Sequence, residues 1–188
     1  LPARLNARQL DLAMLFDTRL HQTRQDGGGR GWSVMPLLEE DLFLVQRAGA
    51  PRLPAEIAIA DLADEPLILP TGPHGLRSTL DTAFARDRVA PHVVLEVDSL
   101  AMLMYAVQAG MGATLQPWAA VARQADAQQS LHMARITDHQ VKRSNWLCGL
   151  SEDELSPAAL AARVVLVDCA RSLVGSGVWH GAALSPQA

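Results

Sequence analysis

The chain has 188 residues, of which 49% are hydrophobic and only 4% aromatic, so a sizeable core has to be built from aliphatic side chains. The formal net charge is −4 at neutral pH. A mildly acidic chain does not attract a polyanion through its long-range field, which argues against nucleic-acid binding by these residues alone. No run of about 18 apolar residues occurs, so we expect no membrane span.

Cysteine usage and the first residues indicate a reducing compartment. The two cysteines, Cys148 and Cys169, form no C-x-x-C pair, and two core thiols are favoured over a disulfide between them. The first ten residues carry two arginines but no continuous apolar stretch, which is not the pattern of a secretory signal. We therefore expect a cytoplasmic protein.

The first quarter of the chain predicts strands separated by loops. Leu1 and Leu5 lie four residues apart, as at the end of a helix. Residues 10–16 (LDLAMLF) form an apolar run typical of a strand that is buried on both faces, as in a parallel sheet. Residues 22–31 are polar and contain three successive glycines, which favours a surface loop over a phosphate cradle. Residues 41–45 are the next strand candidate.

Strands and helices alternate through the rest of the chain. Further strand candidates are residues 66–70, 93–97, 112–115, 131–136 and 145–150, and residues 57–63 are a short strand or a helical turn. Helices are predicted from Leu76 to Arg88, from Asp98–Ser99 to Gly110, from Pro117 to Ala127 and from Ser156–Pro157 to Val174. The tail from Gly177 is weakly patterned. This alternation predicts an α/β fold with largely parallel sheets.

No catalytic or metal-binding motif stands out. No two of the six histidines lie three to five residues apart, and no G-x-S-x-G elbow occurs. Gly110 and Gly112 follow a helix and lack a third glycine, so a turn is favoured over a dinucleotide-binding loop. Glu39, Glu40 and Asp41 are predicted to form a solvated acidic stretch and not an acid/base pair. We therefore expect no enzymatic activity, no cofactor and no metal.

Small polar residues follow three predicted strands at the points where the chain turns towards a helix. They are Phe16–Asp17, Thr71–Gly75 and Asp98–Ser99. In open α/β sheets, ligands bind outside the carboxyl ends of the strands, where the free N–H groups of a helix start can hold an anion. Thr71 and Ser99 can add hydroxyl hydrogen bonds, and Gly72 and Gly75 let the backbone approach a ligand closely. The sequence therefore predicts a site for a small anionic molecule.

The same residues also have structural interpretations. Asp98 and Ser99 are both good helix N-caps, so capping and ligand contact stay open for them. Arg77 is either a surface helix residue or an anion contact. His74 is more often a loop histidine than a ligand.

The order of the apolar and capped segments is distinctive. LDLAMLF is followed by PLLEEDLFLVQ, then by ADLADEPLIL and a small polar loop ending in Arg77, and then by VVLEVDSLAMLMYAVQAGMGATLQP. The most specific part runs from Glu96 to Pro117, with a strand, an acid–Ser cap, a helix, AG-x-G-x-x-L and a proline. In this order the segments resemble the regulatory, effector-binding domain of LysR-type transcriptional regulators over roughly residues 5–174.

The resemblance implies an α/β fold of the type II periplasmic-binding-protein kind, with two Rossmann-like lobes, two crossover strands and an effector in the cleft. The crossovers would lie near residues 43–47 and within residues 142–151. Lobe I would take residues 1–47 and 150–188, and lobe II residues 48–149. The winged helix-turn-helix of these regulators and the opening of lobe I are absent from the sequence, so we expect a fragment of a longer polypeptide.

The resemblance also implies a function, namely sensing of an effector that controls DNA binding and transcription by shifting the arrangement of lobes and oligomer. The expected effector-binding residues are Phe16, Asp17, Thr71, Gly72, Gly75, Asp98, Ser99 and Gln116. The expected partners are a small anionic metabolite, DNA through an N-terminal domain absent from this chain, a homodimer or homotetramer, and RNA polymerase. Two alternatives stay open: a periplasmic solute-binding protein, and a two-lobed enzyme whose catalytic residues the sequence does not reveal.

Overall fold

The computed structural model describes residues 2–16, 32–72, 75–122 and 127–186. Its helices are α1 (Pro2–Asn6), α2 (Gly75–Arg86), α3 (Leu100–Gln108), α4 (Trp118–Val121), α5 (Ala127–Ser130) and α6 (Pro157–Gly175), with a 3-10 turn at Ile59–Leu62. Its strands are β1 (Leu12–Leu15), β2 (Trp32–Arg47), β3 (Glu56–Ile57), β4 (Pro66–Leu69), β5 (His92–Glu96), β6 (Thr114–Pro117), β7 (Leu131–Ile136), β8 (Lys142–Leu150) and β9 (Ala182–Leu184).

The chain divides into two compact units. Unit 1 comprises Leu1–Glu40 and Ser144–Ala188, and unit 2 comprises Asp41–Arg143. The chain therefore leaves unit 1 within β2 and returns to it within β8. The lobe boundaries proposed from the sequence, after residue 47 and after residue 149, fall at the carboxyl ends of the same two strands.

In unit 1 a sheet packs against α6, and the pairs β1–β8 and β2–β9 are antiparallel. β8 lies between β1 and β2, and β9 pairs with β2 at Leu38–Glu40. α6 begins at the predicted position, because the Ser156 hydroxyl accepts a 3.2 Å hydrogen bond from the Ala159 N–H and Pro157 occupies the first turn. Val167 of α6 is buried against Leu37 and Leu147 of the sheet.

Unit 2 carries the strands whose carboxyl ends matter for the candidate site. β6 and β7 pair antiparallel with β2, β3 runs parallel to β7, and β4 runs parallel to β5. The side chains of β4 contribute alternately to two hydrophobic clusters, because successive side chains of a strand point to opposite faces. Leu67 and Leu69 pack with the buried Phe84 of α2, whereas Ile68 packs with α3.

Strand direction corrects one expectation. The sheets are not largely parallel, since β1 pairs antiparallel with β8 and β2 pairs antiparallel with β6, β7 and β9. Nor is β1 buried on both faces: its residues alternate between partly buried and buried. A run of apolar residues carries no information on the direction of its neighbours, and here those neighbours include the long strands β2 and β8, which run between the units.

Two element boundaries also differ from expectation. The predicted helix over 117–127 is shorter, because Pro117 is the last residue of β6 and α4 covers only Trp118–Val121. The tail contains β9, which is three residues long and therefore too short to leave a periodic pattern. The predicted loop over 22–31 lies outside the described residues. No helix in the described parts of the chain has the length and apolarity needed to cross a bilayer.

The acidic stretch at residues 39–41 is not uniformly solvated, which is a further correction. The Glu40 side chain is buried, with the residue 1% exposed, whereas Glu39 is exposed. The Glu40 carboxylate accepts hydrogen bonds of 2.8 Å from the Asn145 amide and 2.8 Å from the Trp179 indole N–H. Asp41 is half-buried and forms an ion pair with Lys142, at 3.5 Å. Glu40 is therefore a structural carboxylate of unit 1.

The two cysteines differ in environment and are both free thiols. Cys148 is buried in β8 beside Leu15 and Trp146, as expected of a core thiol. Cys169 lies on the exposed side of α6, so the expectation of a second core thiol is wrong. Burial raises the pKa of the Cys148 thiol to about 12.

This contrast predicts selective thiol labelling. At pH 8 a soluble disulfide reagent should modify Cys169 and spare Cys148, because the thiolate is the reactive form and Cys148 is both protonated and inaccessible. We expect one reactive thiol per native chain, two in denaturant, and none in native Cys169→Ser. Two equally fast native thiols would contradict the burial of Cys148. Because burial raises the folded-state pKa, the free energy of unfolding should also fall as the pH rises from about 8.5 towards 12.

Candidate functional site

The carboxyl ends of β4 and β5 lie side by side in unit 2. Leu69 is paired with Glu96, and the Val97 N–H donates a 3.0 Å hydrogen bond to the Leu69 carbonyl. The next residues of each strand are thereby brought together: the Thr71 hydroxyl donates a hydrogen bond to the Asp98 carboxylate. Thr71 is half-buried and Asp98 is exposed. Two of the residues selected from the sequence therefore touch.

The start of α3 resolves the question of capping. Ser99 is the N-cap residue, and its hydroxyl accepts a 3.4 Å hydrogen bond from the Met102 N–H. Asp98 does not cap the helix and bonds to Thr71 instead. The Ser99 hydroxyl proton is not used in the capping bond, so this side chain can still donate to a ligand.

Gln116, near the end of β6, is a buried polar side chain that has no hydrogen bond in the described part of the chain. The residue is 4% exposed. A parallel bridge joins Leu67 of β4 to Ala113, just before β6. If both strands are followed for three residues from this bridge, Pro70 lies opposite Gln116. Gln116 therefore lies at the same sheet edge as Thr71. A polar side chain at this edge of the sheet, able both to donate and to accept, makes Gln116 a candidate for a ligand contact.

The face on which Gln116 lies is the one covered by α3. Gln116 is paired with Phe43 of β2, and Val45 is paired with Thr114. Val45 packs against Leu103 of α3, and alternation along β2 and β6 gives Gln116 the same side. The hydroxyl of Thr114 is also buried without a hydrogen-bond partner among the described residues. The start of α3 and these two polar side chains thus share one face of the sheet.

Arg77 holds the turn after β4 and is more than a plain surface residue, because its side chain is largely buried. Its guanidinium donates to the Pro70 carbonyl at 3.0 Å, to Asp81 at 2.8 Å and to Glu96. Hydrogen bonds to Asp81 and then to Glu96 raise the pKa of Arg77 above its ordinary value. Arg77 therefore ties the first turn of α2 to the ends of β4 and β5.

Two glycines set the position of β6. Gly110 ends α3 with φ of +78°, a conformation that L side chains rarely adopt. At Gly112 a Cβ atom would lie 2.5 Å from the Pro66 carbonyl oxygen, so only glycine lets the backbone approach β4 this closely. The predicted turn at Gly110–Gly112 is thus a close contact that aligns β6 with β4.

The residues selected from the sequence fall into three groups. Thr71, Gly72, Asp98, Ser99 and Gln116 lie around the strand ends of unit 2, and Gly75 begins α2 beside them. Phe16 lies in unit 1 and is exposed. Asp17 and His74 lie outside the described residues.

Sequence reasoning missed Thr114. The signal was present, because Thr114 and Gln116 alternate with apolar residues on a short strand that is buried throughout. Within the described residues no group of three or more histidine, cysteine or acidic side chains is arranged to hold a metal ion.

Comparison with known proteins agrees with this geometry. The family model described as the LysR substrate binding domain matches residues 1–169. The chain belongs to the LysR substrate binding domain family. The nitrogen assimilation regulatory protein nac of Klebsiella aerogenes is 30% identical over 164 residues, which are 87% of this chain and 50% of that protein. The nac protein of Escherichia coli K12 is 32% identical over 88% of this chain and 51% of its own length.

Solved structures of the family share the fold of this LysR domain. The regulatory domain of CcmR from Synechocystis PCC6803, in complex with 2-PG, superposes with a TM-score of 0.74 at 20% identity, covering 91% of this chain and 78% of that one. The fold is therefore the α/β fold of type II periplasmic-binding proteins that was expected. The chain spans about half the length of the curated relatives that it matches.

Proposed function

We propose that this LysR domain binds a small metabolite and thereby controls transcription by the whole protein of which it forms part. The family membership supports regulation, and the CcmR regulatory domain was solved with a small molecule, 2-PG. The observation that carries the proposal is the hydrogen bond from Thr71 to Asp98, which brings polar side chains from the ends of β4 and β5 together at the start of α3. A periplasmic solute-binding protein is the less favoured alternative, because the relatives named above are regulators.

The proposed mechanism is a population shift. An effector that binds one arrangement of the protein better than another moves the equilibrium by its difference in affinity. To change the ratio of the two arrangements from 1:99 to 99:1, the binding free energies of the effector for them must differ by about 5.5 kcal/mol. Several hydrogen bonds between the ligand and Asp98, Ser99 and Gln116, in which the Asp98 carboxylate accepts from the ligand, are of the right order to supply it.

The other parts of the proposal concern the whole protein. We propose that it acts in the cytoplasm as a homodimer or homotetramer, contacts DNA through a segment outside this chain, and acts on RNA polymerase. The relatives, of which this chain covers about half, are named as regulatory proteins, which supports this assignment. The absence of catalysis stays a prediction, as do the effector contacts of Phe16 and Asp17.

The site assignment predicts loss of effector affinity in two variants. In a thermal-shift screen of amino acids, hydroxy acids, aromatic acids, sulfonates and nitrogen metabolites, a binding compound should raise the melting temperature of this chain. Thr71→Ala and Gln116→Leu should each weaken that compound about tenfold, because each removes one hydrogen bond near a charged group. Isothermal titration calorimetry measures the change.

The matched control is Thr82→Ala. Thr82 is an exposed residue of α2 whose hydroxyl bonds to the Ser78 carbonyl of the same helix. Its replacement should leave affinity unchanged. If all three variants bind the compound as tightly as the unaltered chain, the site lies elsewhere.

A further inference from the structure

We propose that the effector presents a hydrogen-bond donor, an ammonium or hydroxyl group, to the Asp98 carboxylate. This inference rests on the proposed function and specifies the chemistry of its ligand. It refines the expectation of a small anionic molecule, which came from the general affinity of helix starts for anions.

The local charge balance disfavours a bare anion next to Asp98. Three carboxylates, those of Asp81, Glu96 and Asp98, lie near the ends of β4 and β5, with Arg77 as the guanidinium among them. Arg77 already bonds to Asp81 and Glu96, two carboxylates that balance its single positive charge, and to the Pro70 carbonyl. Asp98 has no ion pair within the portion of unit 2 that the structure describes, so its charge is left to attract a cation or a donor.

The start of α3 points the same way. A helix N-terminus favours negative charge within its first turn. Asp98 directly precedes the N-cap Ser99 and already supplies that charge. A ligand carboxylate at the same place would meet a like charge, whereas an ammonium or hydroxyl group would meet an acceptor.

The remaining groups indicate what the rest of the ligand carries. The Thr71 hydroxyl occupies one oxygen of Asp98, which orients the carboxylate and leaves its other lone pairs for a ligand donor. The Gln116 amide can donate to a carboxylate or carbonyl and also accept. An amino acid or a hydroxy acid satisfies both groups, with its donor on Asp98 and its acid on amide N–H groups.

Matched compounds test the inference. Glutarate, 2-hydroxyglutarate and glutamate share one carbon skeleton and differ only in bearing no donor, a hydroxyl or an ammonium group at the second carbon. Succinate, malate and aspartate form a shorter series, and benzoate, 4-hydroxybenzoate and 4-(aminomethyl)benzoate an aromatic one. Binding to the 188-residue chain is measured by calorimetry and by saturation-transfer NMR. In at least one series, the donor-bearing members should bind at least about ten times more tightly than the donor-free acid.

A conservative variant assigns the effect to Asp98. Asp98→Asn removes the charge and keeps an acceptor oxygen, so it should weaken the ammonium compound about tenfold or more and the hydroxyl compound less. Asp64→Asn, at an exposed acid elsewhere in unit 2, should change neither. Equal binding by the donor-free acids in every series, binding of no donor-bearing compound, or unchanged binding of the ammonium compound to Asp98→Asn would each overturn the inference.

The two proposals fail in different ways. If donor-free acids bind and Thr71→Ala or Gln116→Leu weakens them, the site stands and only its chemistry is wrong. If no compound of any class binds, or if neither Thr71→Ala nor Gln116→Leu changes the affinity, the proposed function of this site fails as well.

Discussion

Replacing Glu40 by alanine should lower the free energy of unfolding by about 2–4 kcal/mol, because two N–H donors inside unit 1 would lose their acceptor. The Glu40 carboxylate accepts from the Asn145 amide and from the Trp179 indole N–H, both at 2.8 Å. These partners come from β8 and from the segment after α6, so one carboxylate ties three parts of unit 1 together. Urea unfolding, followed by far-UV circular dichroism, gives the difference in free energy.

Glu39 offers a matched control one residue away on the same strand. Its side chain is exposed because successive residues of β2 point to opposite faces. Glu39→Ala should change the free energy of unfolding by no more than about 0.5 kcal/mol. Glu40→Gln keeps the shape of the side chain and should fall between the two alanine variants. Equal stability of the two alanine variants would show that Glu40 does not hold unit 1 together.

Gly112→Ala should lower the free energy of unfolding of the chain by about 1–3 kcal/mol through steric conflict. The added Cβ would lie 2.5 Å from the Pro66 carbonyl oxygen and 3.3 Å from the Ile68 side chain. The carbonyl belongs to the backbone and accepts the 2.8 Å hydrogen bond from the Ala113 N–H, so it cannot move without disturbing that bond. We expect β6 to shift away from β4.

The shift should also reach the candidate site, since the same bridge brings Gln116 level with Pro70. Thermal unfolding measures the stability, and calorimetry with the best compound of the screen measures the affinity. Gly175→Ala is the control, because a Cβ there meets nothing within 4 Å. It should be neutral or stabilising by about 0.5–1 kcal/mol. A fully stable Gly112→Ala that binds normally would refute the close-contact role.

Local features of the sequence were enough to predict most elements. Period-2 and period-3.6 patterns indicate where strands and helices lie, and they identified α2, α3 and α6 almost to the residue. Cap chemistry is equally local: Ser99 and Ser156 both bond to an N–H group three residues further on. The order of the segments, from LDLAMLF to the AG-x-G-x-x-L block, was sufficient to indicate the family that the comparisons establish.

The candidate site was predicted only in part. Its unit 2 residues were selected because polar residues after buried strands fall at one sheet edge, a rule that needs no coordinates. That Thr71 bonds to Asp98 could not be predicted, because the two are 27 residues apart and each could equally have faced solvent. Likewise, the sequence could not predict that Arg77 bonds to Asp81, Glu96 and the Pro70 carbonyl, because an arginine at a helix start can equally face solvent.

The sequence by itself determined the elements, their caps and the family, because these depend on residues close together along the chain. Tertiary structure alone decided strand direction and the state of buried polar groups. Antiparallel and parallel neighbours require the same apolar pattern, so nothing in LDLAMLF distinguishes them. Glu40 looks like the acidic residues on either side of it in the sequence, and its burial depends on partners 105 and 139 residues away.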